Sequence, residues 1–387
     1  MRTTVGIVGG GPAGLLLARL LHRAGIDSVV LESRDRAYVE RRQRAGILEQ
    51  GTADVLRAAG AGARMDREGL RHDGIELRFE RRRHRIDFPA LTGGRAVTVY
   101  AQTEVCKDLI ALQLAEGGPL LFEAEALDID AERARVRFRH GGVESVLECD
   151  YVVGCDGSWG VARRTVPAGV SRVFERGYPF AWLGVLADVP PSHDELVYAR
   201  HARGFALLSM RSPAVSRLYL QVPEGTDAED WADDAIWTEL ERRFATDDGW
   251  RLARGTITQK SVTPMRSFVQ EPMRHQRLFL AGDAAHIVPP TGAKGLNLAV
   301  GDVVTFARAL VSERETGSPA LLDSYSADCL RRVWQAERFS YDMTTLLHRA
   351  PDATAFEDRL QVARLERIGS SRAAATDLAE GYTGFPW

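Results

Sequence analysis

A glycine-rich turn between a strand and a helix constrains the fold of this chain more than any other feature. Gly9, Gly11 and Gly14 form a G-x-G-x-x-G sequence that follows the strand-like TTVGIVGG and opens an apolar helix. The tight turn requires the first glycine, close approach of a pyrophosphate requires the second, and helix-to-strand packing requires the third. Glu32 ends the next strand, where its carboxylate can accept hydrogen bonds from a ribose. The segment predicts a dinucleotide site in a βαβ unit and does not distinguish FAD from NAD.

Composition and charge exclude several classes of protein. The 387 residues carry a formal net charge of -3, with 45% hydrophobic and 27% charged residues, which is typical of a globular chain of two interleaved units. The charge gives no reason to expect nucleic acid as a partner. Charge or glycine breaks each apolar run well short of the roughly 18 residues that a membrane helix needs. We therefore expect a cytoplasmic protein with no membrane segment and no metal site. The four cysteines lack a C-x-x-C pair and are expected to be reduced and structural: Cys106, Cys149, Cys155 and Cys329.

The order of predicted elements indicates an α/β fold in which the first unit is interrupted by a second. Strand-like segments cover about 121–153, and further strand-like runs separated by turn residues follow over 178–264. RLFLAGDAAH at 277–286 then predicts another buried strand that feeds a glycine turn and a helix. We expect a Rossmann-like domain over 1–177, a mainly antiparallel sheet domain over 178–266, and the return of the first domain with a helical C-terminal region over 267–387.

Two more motifs stand at predicted strand ends. YVVGCDG at 151–157 is followed by Arg163, and LFLAGDAAH at 278–286 is followed by PPTGAKGLN at 289–297. Taken singly, either motif could be an ordinary turn in which Asp bonds the local backbone, and His286 could be a packed structural residue. Together with the first turn and in this order, the motifs resemble those of the FAD-dependent single-component aromatic hydroxylases.

The resemblance extends over nearly the whole chain. RAGILEQG (44–51), VYAQTEV (99–105), RGFALLSMRS (203–212) and the C-terminal GYTGFP resemble the members of the family that act on 4-hydroxybenzoate. The resemblance implies a Rossmann-like FAD-binding domain and a substrate-binding sheet domain. It also implies hydroxylation at C3 by a C4a-hydroperoxyflavin formed with O2 and NADH or NADPH, giving 3,4-dihydroxybenzoate. A homodimer is expected on the same ground.

The resemblance assigns residues to FAD. Glu32 would hold the adenosine ribose, Arg217 would lie near the isoalloxazine, and Lys294 would supply positive potential near the ring. Such a cation and a helix N-terminus suit a reduced, anionic flavin. The full set expected to contact FAD is Gly9, Gly11, Gly14, Glu32, Arg42, Arg44, Gln102, Asp156, Arg217, Asp283, Lys294, Gly295, Leu296 and Asn297.

The resemblance places the substrate carboxylate at Arg211, Ser209 and Tyr219, and the phenol at Tyr198. A guanidinium binds a carboxylate through two hydrogen bonds, and two hydroxyls complete the set in an apolar pocket. From the residues alone, Arg211 could equally be a surface arginine, because R-S-P-A is typical of a turn.

The implied reaction also needs a proton path. The para-hydroxyl must lose its proton to activate the ring, and the resemblance assigns Tyr198, Tyr382 and His72 to this task. Histidine titrates near neutral pH and can exchange a proton with solvent. The Pro290 carbonyl would face the same hydroxyl. Two structural alternatives stay open: Tyr382 as a C-terminal aromatic anchor and His72 as a solvated loop histidine.

The sequence does not decide whether the nicotinamide cofactor is NADH or NADPH. NADPH-using relatives are expected to have Arg directly after the acidic ribose residue, where this chain has Ser33, and the histidine of the Asp-Gly segment is replaced by Trp159. Guanidinium groups suit phosphates, so NADH and NADPH both remain candidates. The residues expected to contact this cofactor are Ser33, Arg34, Tyr38, Arg42, Trp159 and Arg266.

Three alternatives to the leading hypothesis remain. A related substrate such as 3-hydroxybenzoate would depend on how residues such as Leu207 and Trp182 pack. A flavin halogenase is disfavoured because no W-x-W pair occurs among the seven tryptophans. The third alternative is a flavin-fold binding protein without catalysis. The presence of Arg211, Tyr198, Tyr382 and His72 argues against it, because such a protein would not need these reactive residues.

Overall fold

The computed structural model describes residues 1–42 and 46–384. Within these residues the strands are β1 (Val5–Val8), β2 (Ser28–Leu31), β3 (Ile47–Glu49), β4 (Leu70–His72), β5 (Gly74–Phe79), β6 (Arg82–Asp87), β7 (Val97–Val99), β8 (Leu120–Leu121), β9 (Ala124–Asp130), β10 (Arg135–His140), β11 (Val143–Glu148), β12 (Tyr151–Gly154), β13 (Arg172–Asp188), β14 (Leu196–Ala199), β15 (Ala206–Ser212), β16 (Val215–Pro223), β17 (Thr256–Glu271), β18 (Arg274–His275), β19 (Leu278–Leu280) and β20 (His286–Ile287). The helices are α1 (Pro12–Arg23), α2 (Arg36–Arg41), α3 (Gln50–Ala58), α4 (Ala63–Glu68), α5 (Phe88–Thr92), α6 (Gln102–Ala115), α7 (Ala162–Thr165), α8 (Asp233–Phe244), α9 (Gly295–Thr316), α10 (Ala320–Leu347), α11 (Ala355–Ser370) and α12 (Arg372–Thr383).

A mainly parallel sheet forms the first layer of the fold. Its strand order is β18-β19-β12-β1-β2-β8, and β1 pairs in parallel with both β2 and β12. The late strand β19 pairs in parallel with β12, so the chain returns to this sheet at residue 278. α1 packs against both α6 and α9. The prediction of a Rossmann-like α/β fold is confirmed.

A second, larger sheet has the strand order β20-β17-β13-β16-β15-β14-β5-β6. Its pairings are antiparallel except between β14 and β5. Two of its strands, β5 and β6, come from before residue 178, and β13 and β17 run across residues 178 and 266. These long strands continue because residues 172–177 pair with 266–271. The expected domain limits therefore do not coincide with strand ends. Smaller antiparallel sheets are formed by β11-β10-β9 and by β3-β7-β4.

The two faces of the larger sheet bury different cores. On one face, Leu208 and Leu220 pack in a cluster with Trp237 and Leu240 of α8. The other face contributes to a cluster that includes residues of α10, α11 and α12. Strand side chains alternate between faces, so this second face carries Leu207 and Tyr219, while the pairing of β15 with β16 is irregular after Met210. The predicted helical C-terminal region covers the face that carries the candidate substrate residues.

The long helix α9 is the most apolar of the long helices that the structure describes by the test for a membrane-spanning segment. By length and composition it could cross a membrane, but 67% of its apolar window is buried inside the protein. It packs against α1 and α10 as a core helix. Gly301, Asp302 and Arg308 interrupt its apolar sequence, as the sequence analysis expected, and its burial agrees with a core helix.

Candidate active site

The glycine turn between β1 and α1 leaves an open helix N-terminus. Gly9 has a φ of +107°, and a Cβ on Gly14 would lie 2.0 Å from the Gly9 carbonyl oxygen, so the fold itself needs both glycines. A Cβ on Gly11 would meet no atom within 4 Å. Among the residues that the structure describes, no side chain caps this end of α1, so its first N–H groups remain available to an anionic ligand.

Glu32 lies at the end of β2, beside the glycine turn, and is buried. Its carboxylate accepts hydrogen bonds from the backbone N–H groups of Gly10 at 2.6 Å and Arg34 at 2.8 Å. The Ser33 hydroxyl contacts the same carboxylate at 3.4 Å. The backbone therefore fixes this carboxylate next to the open helix N-terminus.

The Asp-Gly and Gly-Asp turns meet through Arg163. Its guanidinium donates to the carbonyl oxygens of Ala284, at 3.0 Å, and Asp283. Asp156 accepts a bond from the Ala162 N–H at 2.8 Å through one oxygen, while its Oδ1 is buried without a partner among the described residues. Burial raises the pKa of Asp156 to about 6. Arg163 thus joins two motifs that lie far apart in the sequence.

His286 is part of a buried ion pair. Its Nε2 lies 2.7 Å from Oδ2 of Asp302 on α9, and the same oxygen accepts a bond from the Gly282 N–H at 2.8 Å. Burial alone would lower the pKa of His286, but Asp302 raises it above its ordinary value. This geometry agrees with a packed structural histidine that fixes the Gly-Asp turn to α9.

The segment before α9 forms a turn with an open helix end. A short 3-10 helix, Pro290–Gly292, leads to Ala293 at a left-handed φ of +54°, and no side chain within residues 1–42 and 46–384 caps α9. Asn297 donates to the Ile47 carbonyl and accepts from the Glu49 N–H, both at 3.0 Å. At Gly295, the nearest neighbour of a Cβ would be Val288 at 4.0 Å. The N–H groups at Gly295 and Leu296 begin a helix whose end is held rigidly but not capped.

Lys294 is buried and ion-paired. Its ammonium group donates to Oε1 of Glu49 at 2.6 Å and to the Tyr382 carbonyl at 3.1 Å. Burial lowers the pKa of Lys294, although Glu49 opposes that shift. The Glu49 carboxylate therefore offsets part of the positive potential expected from Lys294. The sequence analysis did not assign Glu49 to the site.

The candidate substrate residues lie on adjacent strands of the larger sheet. Tyr198 on β14 pairs with Leu207 on β15, which pairs with Tyr219 on β16. Ser209 on β15 pairs with Arg217 on β16. These pairings place the residues in two rows on the face covered by the C-terminal helices.

Two guanidinium groups converge at this face. Burial and then the charge of Arg217 lower the pKa of Arg211 to about 10. The Arg217 guanidinium lies 5.1 Å above the Tyr219 ring, and its Nη1 is buried without a partner in the described part of the chain. Like charges held close together in a partly buried site favour an anion between or beside them.

Tyr198 and Tyr382 form a buried phenol pair. Their hydroxyl oxygens lie 2.6 Å apart, and the Tyr198 hydroxyl lies 3.4 Å from the Thr291 carbonyl oxygen. Burial raises the pKa of both phenols. The Pro290 carbonyl accepts a bond from the Ala293 N–H at 3.0 Å, and a carbonyl oxygen can accept a second one. Tyr382 is thus both packed in the C-terminal helix and bonded to the candidate site.

His72 lies at the end of β4 with only 1% of its surface exposed. Both ring nitrogens lack a hydrogen-bond partner within residues 1–42 and 46–384. Burial lowers the pKa of His72 to about 4. It is therefore not a solvated loop histidine, and it has no direct bond to the phenol pair.

The residues expected at the nicotinamide cofactor form two groups. Arg34 and Arg42 lie over the Tyr38 ring, with guanidinium carbons at 5.2 and 5.9 Å from its centre. Arg266 lies 5.3 Å from the centre of the Trp159 ring, which is 83% exposed.

Two residues expected at FAD remain: Gln102 begins α6, and Arg44 lies outside the described residues. Among those described, no group of His, Cys, Asp and Glu could hold a metal ion.

The family of FAD binding domains matches residues 2–340 of the chain. The fold, the uncapped helix ends and this match define an FAD-binding protein. Two features fit the FAD cofactor: the space around Gly11, and the buried Arg217 Nη1, which has no partner among the described residues. The p-hydroxybenzoate hydroxylase of Acinetobacter baylyi is 49% identical over 100% of this chain and 96% of its own length. The chain therefore belongs to the family of FAD-dependent monooxygenases that includes that hydroxylase.

Other relatives agree on the fold. Rifampicin monooxygenase of Streptomyces venezuelae is 29% identical over 83% of this chain and 67% of its own length. The crystal structure of p-nitrophenol 4-monooxygenase from Pseudomonas putida superposes with a TM-score of 0.84 at 18% identity, and the match covers 100% of both chains. At 18% identity, the similarity to p-nitrophenol 4-monooxygenase shows the fold alone.

Proposed function

We propose that the protein hydroxylates 4-hydroxybenzoate at C3 to give 3,4-dihydroxybenzoate, with O2 and NADH or NADPH as co-substrates. The observation that carries the proposal is the buried phenol pair of Tyr198 and Tyr382 near Arg217, a residue on the same sheet face as Tyr198 whose charge acts on Arg211. Such a face offers cations to a carboxylate at one end and hydroxyls to a phenol at the other. The name of the Acinetobacter relative supports the same substrate.

Arg211, Ser209 and Tyr219 hold the carboxylate in this proposal. A carboxylate accepts two parallel bonds from a guanidinium, and the two hydroxyls complete its hydrogen bonds. Its negative charge relieves the repulsion between Arg211 and Arg217. The Tyr219 ring also packs on Trp182, with ring centres 4.8 Å apart, so the carboxylate end of the pocket has a fixed wall.

Tyr198 and Tyr382 receive the proton of the substrate phenol. The Tyr198 hydroxyl accepts this proton as it donates its own to Tyr382. Tyr382 in turn releases its own proton to water, which carries it to the neutral His72 ring and from there to solvent. The Pro290 carbonyl accepts a hydrogen bond from the phenol and orients it. The bound cofactor would be FAD, and in its reduced form it would supply the electrophilic oxygen from O2. The open end of α9 and Lys294 favour negative charge on the bound ring.

The remaining assignments complete the proposal. Glu32 binds the adenosine ribose, the uncapped end of α1 binds the pyrophosphate, and Asp283 binds the ribityl chain. The arginine groups around Tyr38 and Trp159 bind the nicotinamide dinucleotide through its phosphates. We further propose a cytoplasmic, soluble homodimer.

A coupled assay tests this function. The purified yellow protein is mixed with NADH or NADPH, and absorbance at the nicotinamide band is followed with and without 4-hydroxybenzoate, while chromatography identifies the product. We expect oxidation stimulated by 4-hydroxybenzoate and a matching yield of 3,4-dihydroxybenzoate. Benzoate, which has no phenol to deprotonate, is the matched control and should give no hydroxylated product. Stimulation and product with 3-hydroxybenzoate alone would instead identify a related hydroxylase, and the absence of any product would refute the proposal.

A further inference from the structure

His348 lies behind the candidate substrate pocket, directly after α10. Its ring is enclosed by aromatic side chains: it stacks on Phe180 with ring centres 4.7 Å apart, and the tilted ring of Phe205 lies at 4.3 Å. Only 2% of its surface is exposed. A polar ring in such surroundings is costly unless both of its nitrogens are bonded.

Both nitrogens of His348 are bonded, and the bonds define one protonation state. Nδ1 lies 2.9 Å from the Thr344 carbonyl oxygen, which can only accept, so Nδ1 carries the hydrogen. Nε2 accepts a bond of 2.6 Å from the indole N–H of Trp182, which can only donate. Burial lowers the pKa of His348 to about 3. The imidazole is therefore neutral, with a fixed tautomer that presents an acceptor to Trp182.

Trp182 connects His348 to the candidate substrate pocket. Its indole lies 4.8 Å from the Tyr219 ring and 5.3 Å from Phe205, centre to centre. A Cβ on Gly184 would lie 3.0 Å from the Tyr219 ring, so the backbone holds the same ring from another side. The position of the Tyr219 hydroxyl thus depends on an indole whose orientation is fixed by one hydrogen bond.

A second connection leads from the same turn of α10 to the phenol end of the pocket. The hydroxyl oxygens of Thr344 and Thr291 lie 3.0 Å apart, and the Thr291 carbonyl oxygen faces the Tyr198 hydroxyl. Thr344 therefore contacts both His348 and the loop that bears Thr291. One helix turn fixes groups at both ends of the pocket.

We propose that His348 is a positioning residue for the substrate carboxylate: through its bond to Trp182 it sets the orientation of Tyr219. The inference rests on the proposed function, because it takes Tyr219 as a carboxylate contact. His348 itself does not act on the substrate.

Three variants test the inference. His348→Phe keeps a flat ring but removes the acceptor, His348→Gln restores an acceptor, and Trp182→Phe removes the donor. His84→Phe is the matched control, because His84 also stacks on a phenylalanine, at 4.6 Å from Phe79, but lies on the edge strand β6. The readouts are KM and kcat for 4-hydroxybenzoate, product formed per NAD(P)H, and the indole N–H signals in nitrogen-15 NMR of tryptophan-labelled protein.

We expect His348→Phe to raise KM about tenfold, since a displaced Tyr219 hydroxyl loses one hydrogen bond to the charged carboxylate, while kcat changes less than twofold. His348→Gln should recover most of that loss, and His84→Phe should match the wild type. One downfield indole signal should be missing in Trp182→Phe and should move upfield in His348→Phe.

The double variant decides whether the two residues act as a unit. In the Trp182→Phe background, His348→Phe should raise KM no further. An unchanged KM in His348→Phe, or changes in the two single variants that multiply in the double variant, would overturn the inference. The indole signal does not depend on the substrate, so failure of 4-hydroxybenzoate turnover in the wild type would refute the proposed function while leaving the His348 bond testable.

Discussion

The phenol oxygens of Tyr198 and Tyr382 lie 2.6 Å apart, although 184 positions separate the two residues in the chain. One phenol comes from the larger sheet and the other from the last helix, so the contact exists only when α12 covers the sheet face. Because burial raises the pKa of both groups, neither is ionised at neutral pH, and each can pass a proton only as it receives one.

Tyr198→Phe is expected to lower the rate of 4-hydroxybenzoate hydroxylation by about a hundredfold, the lower end of what a positioned acid or base contributes. Tyr382→Phe should lower it by a similar factor, because Tyr198 then has no phenol to receive its proton. Stopped-flow absorbance of the bound phenolate measures the deprotonation directly. Tyr325→Phe is the control: it removes another buried hydroxyl, which bonds the Leu280 carbonyl at 2.8 Å outside the candidate site. A normal rate in Tyr198→Phe would contradict the proton path.

Arg211→Met should weaken 4-hydroxybenzoate binding by about a hundredfold, since a charged hydrogen-bond pair is worth roughly 3 kcal/mol when partly buried. Arg211→Lys should recover only part of this, because an ammonium group cannot form the paired bonds of a guanidinium. Titration of the flavin spectrum with substrate measures the dissociation constant. Arg254→Met, which removes an exposed arginine paired with Glu241, is the control. If Arg211→Met binds as the wild type does, the carboxylate lies elsewhere.

The glycine turn offers a test that separates folding from cofactor binding. A Cβ on Gly14 would lie 2.0 Å from a backbone oxygen, whereas one on Gly11 has no atom within 4 Å. We expect Gly14→Ala to give little folded protein and Gly11→Ala to fold normally but to lose FAD. Circular dichroism of the apoproteins and flavin content after dialysis against FAD measure the two effects. Full flavin content in Gly11→Ala would show that the pyrophosphate does not approach this position.

The sequence predicts local features of this protein well and distant contacts poorly. The glycine spacing around Gly9 to Gly14 and the strand that ends at Glu32 follow from short-range rules, and the structure has them at the expected positions. The ion pair of Lys294 with Glu49 joins residues 245 positions apart, and no local pattern marks Glu49 as its partner. His348 is equally unmarked, because its role depends on an indole from another layer of the fold.

Glu337 on α10 is a buried carboxyl group that makes the stability of the protein depend on pH. It is 5% exposed, and its Oε1 has no partner in the part of the chain that the structure describes. Burial raises its pKa from 4.5 to about 7, although a hydrogen bond from Ser267 opposes the shift. The folded protein thus holds this proton more tightly than the unfolded chain does.

Because the pKa of Glu337 is raised in the folded protein, its contribution to the free energy of unfolding is full at low pH. That contribution falls as the pH rises from about 4.5 to about 7. Glu337→Gln removes this dependence, so the variant should gain about 2–3 kcal/mol of unfolding free energy relative to the wild type between pH 4 and pH 8. Urea unfolding at several pH values measures it. Glu315→Gln, which changes an exposed residue of α9, is the control. A difference between Glu337→Gln and the wild type that stays constant across this range would show that Glu337 ionises normally in the folded protein.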